Sequence, residues 1–249
     1  GVVVAIIQFR LRRERAKSYQ ETLEYKARLS SLEQQSLNAS MNRHFIFNSL
    51  NSIQYFINTQ DRVSANRYLT SFAKLIRKNL DSSSEDNNMV SLSQEIERLE
   101  LYLSLESMRF RDRFDYEITV SDVDTESIMV PAMLFQPFVE NSIIHGILPM
   151  EDRKGMISIR IEAKGNYLEV VLEDNGVGID FSLNKKKQID GDHKSQGMEI
   201  TSKRIALLKK LSHQDFEMEG PFQLEDDNHS INGTRVLLKI PCENLEDQN

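Results

Sequence analysis

Five short stretches of this chain hold side chains whose types and spacing suit chemistry. His44 is followed four residues on by Asn48, so within a helix the two share one face and the amide can orient the imidazole or a water. Neutral imidazole is a nucleophile near pH 7. Glu140 and Asn141 are adjacent, with His145 and Gly146 close behind. Glu140 is a candidate carboxylate base, and the neutral amide oxygen of Asn141 suits a Mg2+ ion that keeps several waters. Asp174 precedes Gly176 and Gly178, glycines that let backbone and ligand approach with no Cβ between them. Gly197 and Met198 open a helical pattern, where the first backbone N–H groups point at anions. Gly233 and Thr234 open a strand-like run.

Taken singly, each stretch has a plainer reading. Asp174, Asn175 and Gly176 make a tight-turn signal. Gly146 can be the left-handed residue that closes a helix, with His145 at the negative end of the helix dipole. Gly197 can be a loop hinge, Gly233 a turn into a strand, and a single helix histidine is most often packed or merely exposed. The plainer readings leave unexplained why all of these fall in order within one region of mixed helix and strand pattern. No Gly-rich loop ends in Gly-Lys-Ser/Thr, and no zinc-binding His/Glu spacing is present.

In that order, Glu140/Asn141, Asp174 to Gly178, Gly197/Met198 and Gly233/Thr234 resemble the four nucleotide boxes of the superfamily that includes gyrase, the ninety-kilodalton heat-shock chaperone, MutL and histidine kinases. The stretches 37–53 and 92–110, the second carrying Tyr102, Glu106, Arg109 and Phe110, are similar to the LytS-type sensor histidine kinases. The resemblance covers roughly residues 30–240. It implies an ATP site in which Asp174 accepts the adenine amino hydrogen bond and Gly197 and Met198 meet the phosphates. His145, Gly146, Gly176, Gly178, Gly233 and Thr234 complete the nucleotide-binding set. Mg2+ is implied at Asn141, and a polar lid over 182–196. It further implies autophosphorylation on His44, with Asn48 and Glu140 assisting, then transfer to an Asp of a response regulator receiver domain. The expected assembly is a homodimer through the N-terminal helices. One departure stands out: the family usually has Pro directly before the acceptor histidine, where this chain has Arg43. A straighter helix follows from losing the Pro, and a neighbouring cation disfavours imidazolium. The alternative is a catalytically silent dimer that ATP only gates.

These residues need elements to position them. From Ser18 to about Ile57 there is no Pro or Gly, which predicts one long helix. Steps of three and four residues along it give Leu29, Leu32, Ser36, Ala39, Arg43, Ile46, Leu50, Ile53 and Ile57, a seam seeking a partner helix. Residues 58–61 break the run. Val63, Tyr68, Leu69, Phe72, Leu75, Ile76 and Leu80 mark a second amphipathic helix. Ser91 with Gln94 is a capping box opening a third. Period-two runs from Phe114, Ile157 and Leu168 predict strands, with Gly165 and Asn166 turning between the last two. Helices are expected over 133–145 and 198–211, and a last strand over 233–241.

The expected fold class is α+β: an N-terminal helical dimerisation hairpin, then a two-layer α/β sandwich ATP-binding domain with a mixed sheet. Expected boundaries are 1–17 for the end of a transmembrane helix and its basic neck, 18–112 for the helical phosphoacceptor domain, and 113–249 for the ATP-binding domain. The apolar start of the chain turns abruptly basic at Arg10, as a membrane helix does on its cytoplasmic side. It is too short to span by itself, because spanning takes about 20 apolar residues. This predicts a fragment on the cytoplasmic side of a membrane, which the resemblance implies is a bacterial inner membrane. Residues 1–30 carry seven cations and three anions, against a whole-chain net charge of −7, and such an acidic balance argues against direct nucleic-acid binding. The single cysteine excludes an intrachain disulfide and a thiolate metal cluster.

Overall fold

The computed structural model describes residues 12, 13, 15, 45–82, 89–151, 153–179, 216–225 and 231–242. The chain divides into two compact units, Gly1–His44 and Phe45–Asn249. In the first, the described Arg12, Arg13 and Arg15 are helical and exposed. His44, the basic neck's apolar start, the 182–196 lid, Gly197, Met198 and the helix expected over 198–211 lie outside the described residues. Among the described residues no helix is long and apolar enough to cross a membrane.

The second unit opens with helix α1, residues 45–58. It stops where expected: Gln60 adopts φ 59°, and Asp61 accepts the Ser64 N–H at 3.0 Å to cap the next helix. Helix α2 spans Arg62–Ser82. The two helices meet through Phe56 and Tyr68, ring centroids 5.8 Å apart, and through the Tyr68 hydroxyl donating to Ser49 Oγ at 3.3 Å. The inward residues of α1 are Phe45, Ser49, Ser52 and Phe56. That stripe lies one position off the predicted seam, so Ile46, Leu50 and Ile57 face outward.

A short strand β1, Met89–Ser91, leads into helix α3, Leu92–Arg109, whose start is the predicted capping box with both Ser91–Gln94 bonds at 3.2 Å. Helix α3 packs on α2, where Glu97 pairs with Lys74 at 2.7 Å and Lys78 at 2.6 Å. Strand β2, Phe114–Ser121, follows, and β3, Met129–Pro131, pairs antiparallel with β1. Helix α4, Gln136–Asn141, runs directly into a π-helical turn, Ser142–Ile147. The helix expected over 133–145 therefore starts later than predicted: Met133 has φ 59°, and Pro137 suits the first turn, where an N–H is dispensable.

Strands β4 (Gly155–Lys164), β5 (Tyr167–Asp174), β6 (Glu217–Glu225) and β7 (Ile231–Pro241) complete a five-stranded sheet in the order β2-β4-β5-β7-β6. β2 runs parallel to β4 and every other pair is antiparallel, so the sheet is mixed. The parallel pair needs a crossover, and α4 with its π turn lies within that connection. Ile157, Ile159, Ile161, Leu168, Val170, Leu238 and Ile240 are buried on one face of the sheet, each such side chain contributing roughly 1.5–3 kcal/mol over exposure. The π turn packs on β4, β5 and β7. The architecture is the expected α+β arrangement of helices followed by a mixed sheet. β6 escaped the sequence reading, because its residues do not alternate cleanly and its pairing with β7 shifts register between Glu219 and Phe222.

Candidate functional site

The nucleotide boxes that the structure describes converge on the end of β5. Asp174 is that strand's last residue and only 3% exposed. Its register places it beside Ile157 on one side and Thr234 on the other, and the second pairing explains why the Thr234 hydroxyl donates to Asp174 Oδ2 at 2.5 Å. Ser142 Oγ, from the first residue of the π turn, donates to the same oxygen at 2.7 Å. The Gly176 N–H donates to Oδ1 at 2.9 Å. Burial raises the Asp174 pKa above the ordinary carboxylate value, and bonds from Thr234, Ser142 and Gly176 pull it back. The outcome is a buried carboxylate held by donors from three elements, a state that costs heavily without them.

Glycine is required here because backbone packs on backbone. A Cβ on Gly176 would lie 2.4 Å from the Gly146 carbonyl carbon, and one on Gly233 would lie 1.7 Å from the Asp174 carbonyl oxygen. The Val177 N–H donates to the Gly146 carbonyl at 3.0 Å, which ties the π turn to the loop after β5. Gly176 thus serves the protein's own close approach, beyond the approach to a ligand that its pattern first implied. Gly146 is not a left-handed cap: it sits inside the π turn, and a Cβ there would come within 2.9 Å of Asp174 Oδ1. Its absence lets the Asp174 carboxylate pack directly on the π turn. Gly178 adopts φ 77° and is buried. Asn175 locks the strand end by accepting the Met156 N–H at 2.7 Å on its side-chain oxygen. Arg153 donates to the Asn175 carbonyl at 2.7 Å and to Asn232 Oδ1 at 2.9 Å.

Glu140 and Asn141 occupy the last turn of α4, and His145 the π turn; all three are half-buried. Glu140 adds its field to a buried group on α3. Glu106 is pushed up to about 7, by burial above all, while Arg109 lowers it and Glu140 raises it. Arg109 Nη1 donates to both Glu106 oxygens, at 3.2 and 2.9 Å. Here desolvation outweighs a close cation. Tyr102 is raised well above its ordinary value, by burial first and then by Glu106 and Glu140. On its other side Tyr102 meets the Phe45 ring at 5.6 Å. Asn48 is half-buried on α1, and its carbonyl accepts the Ser52 hydroxyl at 3.0 Å. Among the described residues no three His, Cys, Asp or Glu gather as a metal cluster.

The structure therefore brings Gly146, Asp174, Gly176, Gly233 and Thr234 together, with Glu140, Asn141 and His145 on the adjoining helix and turn. Ser142 and Glu95 were missed. Ser142 directly follows Asn141 in sequence. Glu95 carried a fainter signal: with Leu92, Leu99, Tyr102, Leu103 and Glu106 it falls on the apolar stripe of α3, where a charged residue is out of place unless it is paired.

The residues fit the nucleotide that the boxes imply. Asp174 is a buried acceptor packed against Gly146, where a Cβ would meet its Oδ1 at 2.9 Å, and Asn141 supplies a neutral amide oxygen one residue before Ser142, which donates to that carboxylate. Sequence comparison gives the family. Residues 32–114 match the histidine kinase family model. Sensor protein LytS of Staphylococcus saprophyticus is 31% identical over 224 residues, covering 89% of this chain and 36% of that protein. Sensor histidine kinase BtsS of Escherichia coli K12 is 35% identical over 216 residues, covering 87% of this chain and 34% of that protein. The chain spans about a third of the length of the curated relatives it matches. Among solved structures, histidine kinase ThkA in complex with response regulator protein TrrA has a TM-score of 0.39 at 19% identity, covering 90% of this chain and 67% of that one, too loose a likeness to place residues. By its sequence, the chain is a relative of the LytS-type sensor histidine kinases.

Proposed function

We propose that the chain is the transmitter part of a sensor histidine kinase in a two-component system: it binds ATP with Mg2+, phosphorylates His44, and passes the phosphoryl group to an Asp of a response regulator receiver domain. The observation that carries the reading is the Asp174 carboxylate, buried, held by Ser142, Thr234 and Gly176, and packed against Gly146. A buried acceptor of this kind matches the amino group of adenine. Asn141 would hold Mg2+, and Gly197 and Met198 would give N–H groups to the phosphates. ATP with Mg2+ supplies the transferable phosphoryl group and screens its charge. An imidazole nitrogen of His44 bonds to the γ-phosphorus, the bond to the β–γ bridging oxygen breaks, and ADP leaves. Glu140 accepts the ring proton, and Asn48 orients the ring.

The assembly we propose is a homodimer through the N-terminal helices. Its support is the outward face of α1 and α2, where Phe47 is 62% and Val63 79% exposed; large apolar side chains clustered in this way mark an interface. The proposed divisions are membrane anchor and neck over 1–17, phosphoacceptor helices over 18–112 and ATP-binding domain over 113–249. In this reading the chain lies on the cytoplasmic side of a bacterial membrane.

Incubation with γ-labelled ATP and Mg2+ tests the activity. Acid-labile, alkali-stable label is expected on the wild type and on neither His44→Ala nor Asn141→Ala. Arg43, where the family usually has Pro, favours a second reading, a dimer that ATP gates without phosphorylation. Measurable ATP binding with no label on the wild type selects it. Within the kinase reading, Arg43→Pro is expected to change the initial labelling rate, and equal rates remove Arg43 as a tuning residue.

A further inference from the structure

We propose that Glu95 is a positioning residue of the ATP site: from α3 it grips the start of α4 and so fixes where Asn141 stands. The inference rests on the reading of Asn141 as the Mg2+ ligand. Glu95 is 1% exposed, and its two carboxylate oxygens accept different backbone donors, Oε2 from the Met133 N–H at 2.9 Å and Oε1 from the Phe135 N–H at 3.4 Å. Those donors belong to a stretch, residues 131–135, that is buried throughout. Phe135 is the N-cap of α4 and makes no side-chain cap bond; Glu95 takes up the N-cap's own backbone N–H, and that of Met133 before it, from 40 and 38 positions earlier in the chain. The Arg98 guanidinium, 3.7 Å from Oε2, offsets the buried charge.

The grip lies at the end of a longer seam. β1 pairs with β3, the Leu92 N–H donates to the Ile128 carbonyl at 2.8 Å, and the Ser93 N–H donates to the Thr125 carbonyl at 2.8 Å. The 125–135 segment is thereby bound along the first turn of α3, and α4 then carries the chain to Glu140 and Asn141. On its other faces α3 holds the hairpin helices, through Glu97 with Lys74 and Lys78 and through Tyr102 with Phe45. Phe45 is the residue after His44. Glu95 therefore stands between the helices that follow the proposed acceptor and the helix that carries the proposed Mg2+ ligand. Both oxygens are needed, because glutamine replaces one of them by an NH2 that faces a backbone N–H donor instead of accepting from it.

The test is calorimetric titration of the chain with ATP, once in Mg2+ and once in EDTA. In Glu95→Gln the affinity in Mg2+ falls about five-fold, the size expected from the net contribution of one typical hydrogen bond, while the affinity in EDTA stays at the wild-type value. A fold-only role lowers the melting temperature and leaves the Mg2+-to-EDTA ratio as in the wild type; that ratio in a folded variant overturns the proposal. If Glu95→Gln does not fold, Glu95→Asp, which keeps the charge but is one methylene shorter, is read by the same two criteria. Asn141→Ala runs in parallel. Wild-type Mg2+ dependence in Asn141→Ala overturns the Mg2+ reading and this inference with it. Lost dependence there, with the wild-type ratio in the Glu95 variant, overturns this inference alone.

Discussion

The sheet and the helical hairpin satisfy their apolar side chains in opposite ways. Along β4, β5 and β7 the inward residues are buried by the unit's own π turn and neighbouring strands. Along α1 and α2, Phe45, Phe56, Tyr68 and Leu75 are buried, but Ile46, Phe47, Leu50, Ile57, Val63 and Leu69 remain exposed. The sheet closes its core within one chain, whereas the hairpin completes half of a core and displays the other half. Rigidity follows the same division. The Asp174 end of the sheet is fixed by main-chain contacts that admit no side chain, and the hairpin by ring contacts and a few hydroxyls.

The hardest blow to that contrast is Gly233→Ala. Its Cβ would overlap the Asp174 carbonyl, at a residue with φ 118°, so a loss of about 4 kcal/mol or more is expected, in the range reserved for severe strain in a packed site. Denaturant unfolding checks it, and a variant as stable as the wild type would remove the main-chain account of the sheet's rigidity.

Glu106→Gln comes next, because Glu106 lies where the two regions meet. With its pKa raised from 4.5 to about 7, the folded chain keeps a proton that the unfolded chain has released. Stability therefore falls as pH rises through that window and levels off above it, by up to about 3 kcal/mol. The Gln variant should show a shallower fall between pH 5 and pH 8 in the same unfolding experiment. An unchanged slope assigns the pH dependence elsewhere.

Leu50→Glu should act on association alone. Leu50 is 51% exposed in the single chain, and placing a charge in an apolar helix interface is expected to weaken dimerisation by about 2 kcal/mol. Sedimentation should show dissociation with the unfolding midpoint of the sheet little changed. A dimer as tight as the wild type would leave the outward face unexplained.

How much was legible in sequence follows from how local each cause is. The Ser91–Gln94 box, the Gln60 break and the alternating strands were readable, because a few consecutive residues decide each of them. Asp174, Gly176 and Gly233 could be picked out as a group, but the reason for the glycines could not, since it lies in contacts between β5, β7 and the π turn. The seam on α1 was read one position away from the residues that pack within the chain, and the two stripes turn out to serve different faces. Glu95 was passed over because its partners lie 38 and 40 residues away, although an acid on the apolar stripe of α3 was visible from the start.

The π turn is where α4 has to give. Its far end is pinned to the loop after β5 by the Val177–Gly146 bond, and its near end follows α3 through Glu95. A segment held at both ends cannot slide when one support moves; it can only bend between them. A wide turn within a helix is a weaker place than the regular turns beside it. Ser142–Ile147 lies between those two anchors, next to Asn141 and carrying the Ser142 bond to Asp174, so in the proposed kinase any strain between α3 and the sheet falls on the turn beside the proposed nucleotide site.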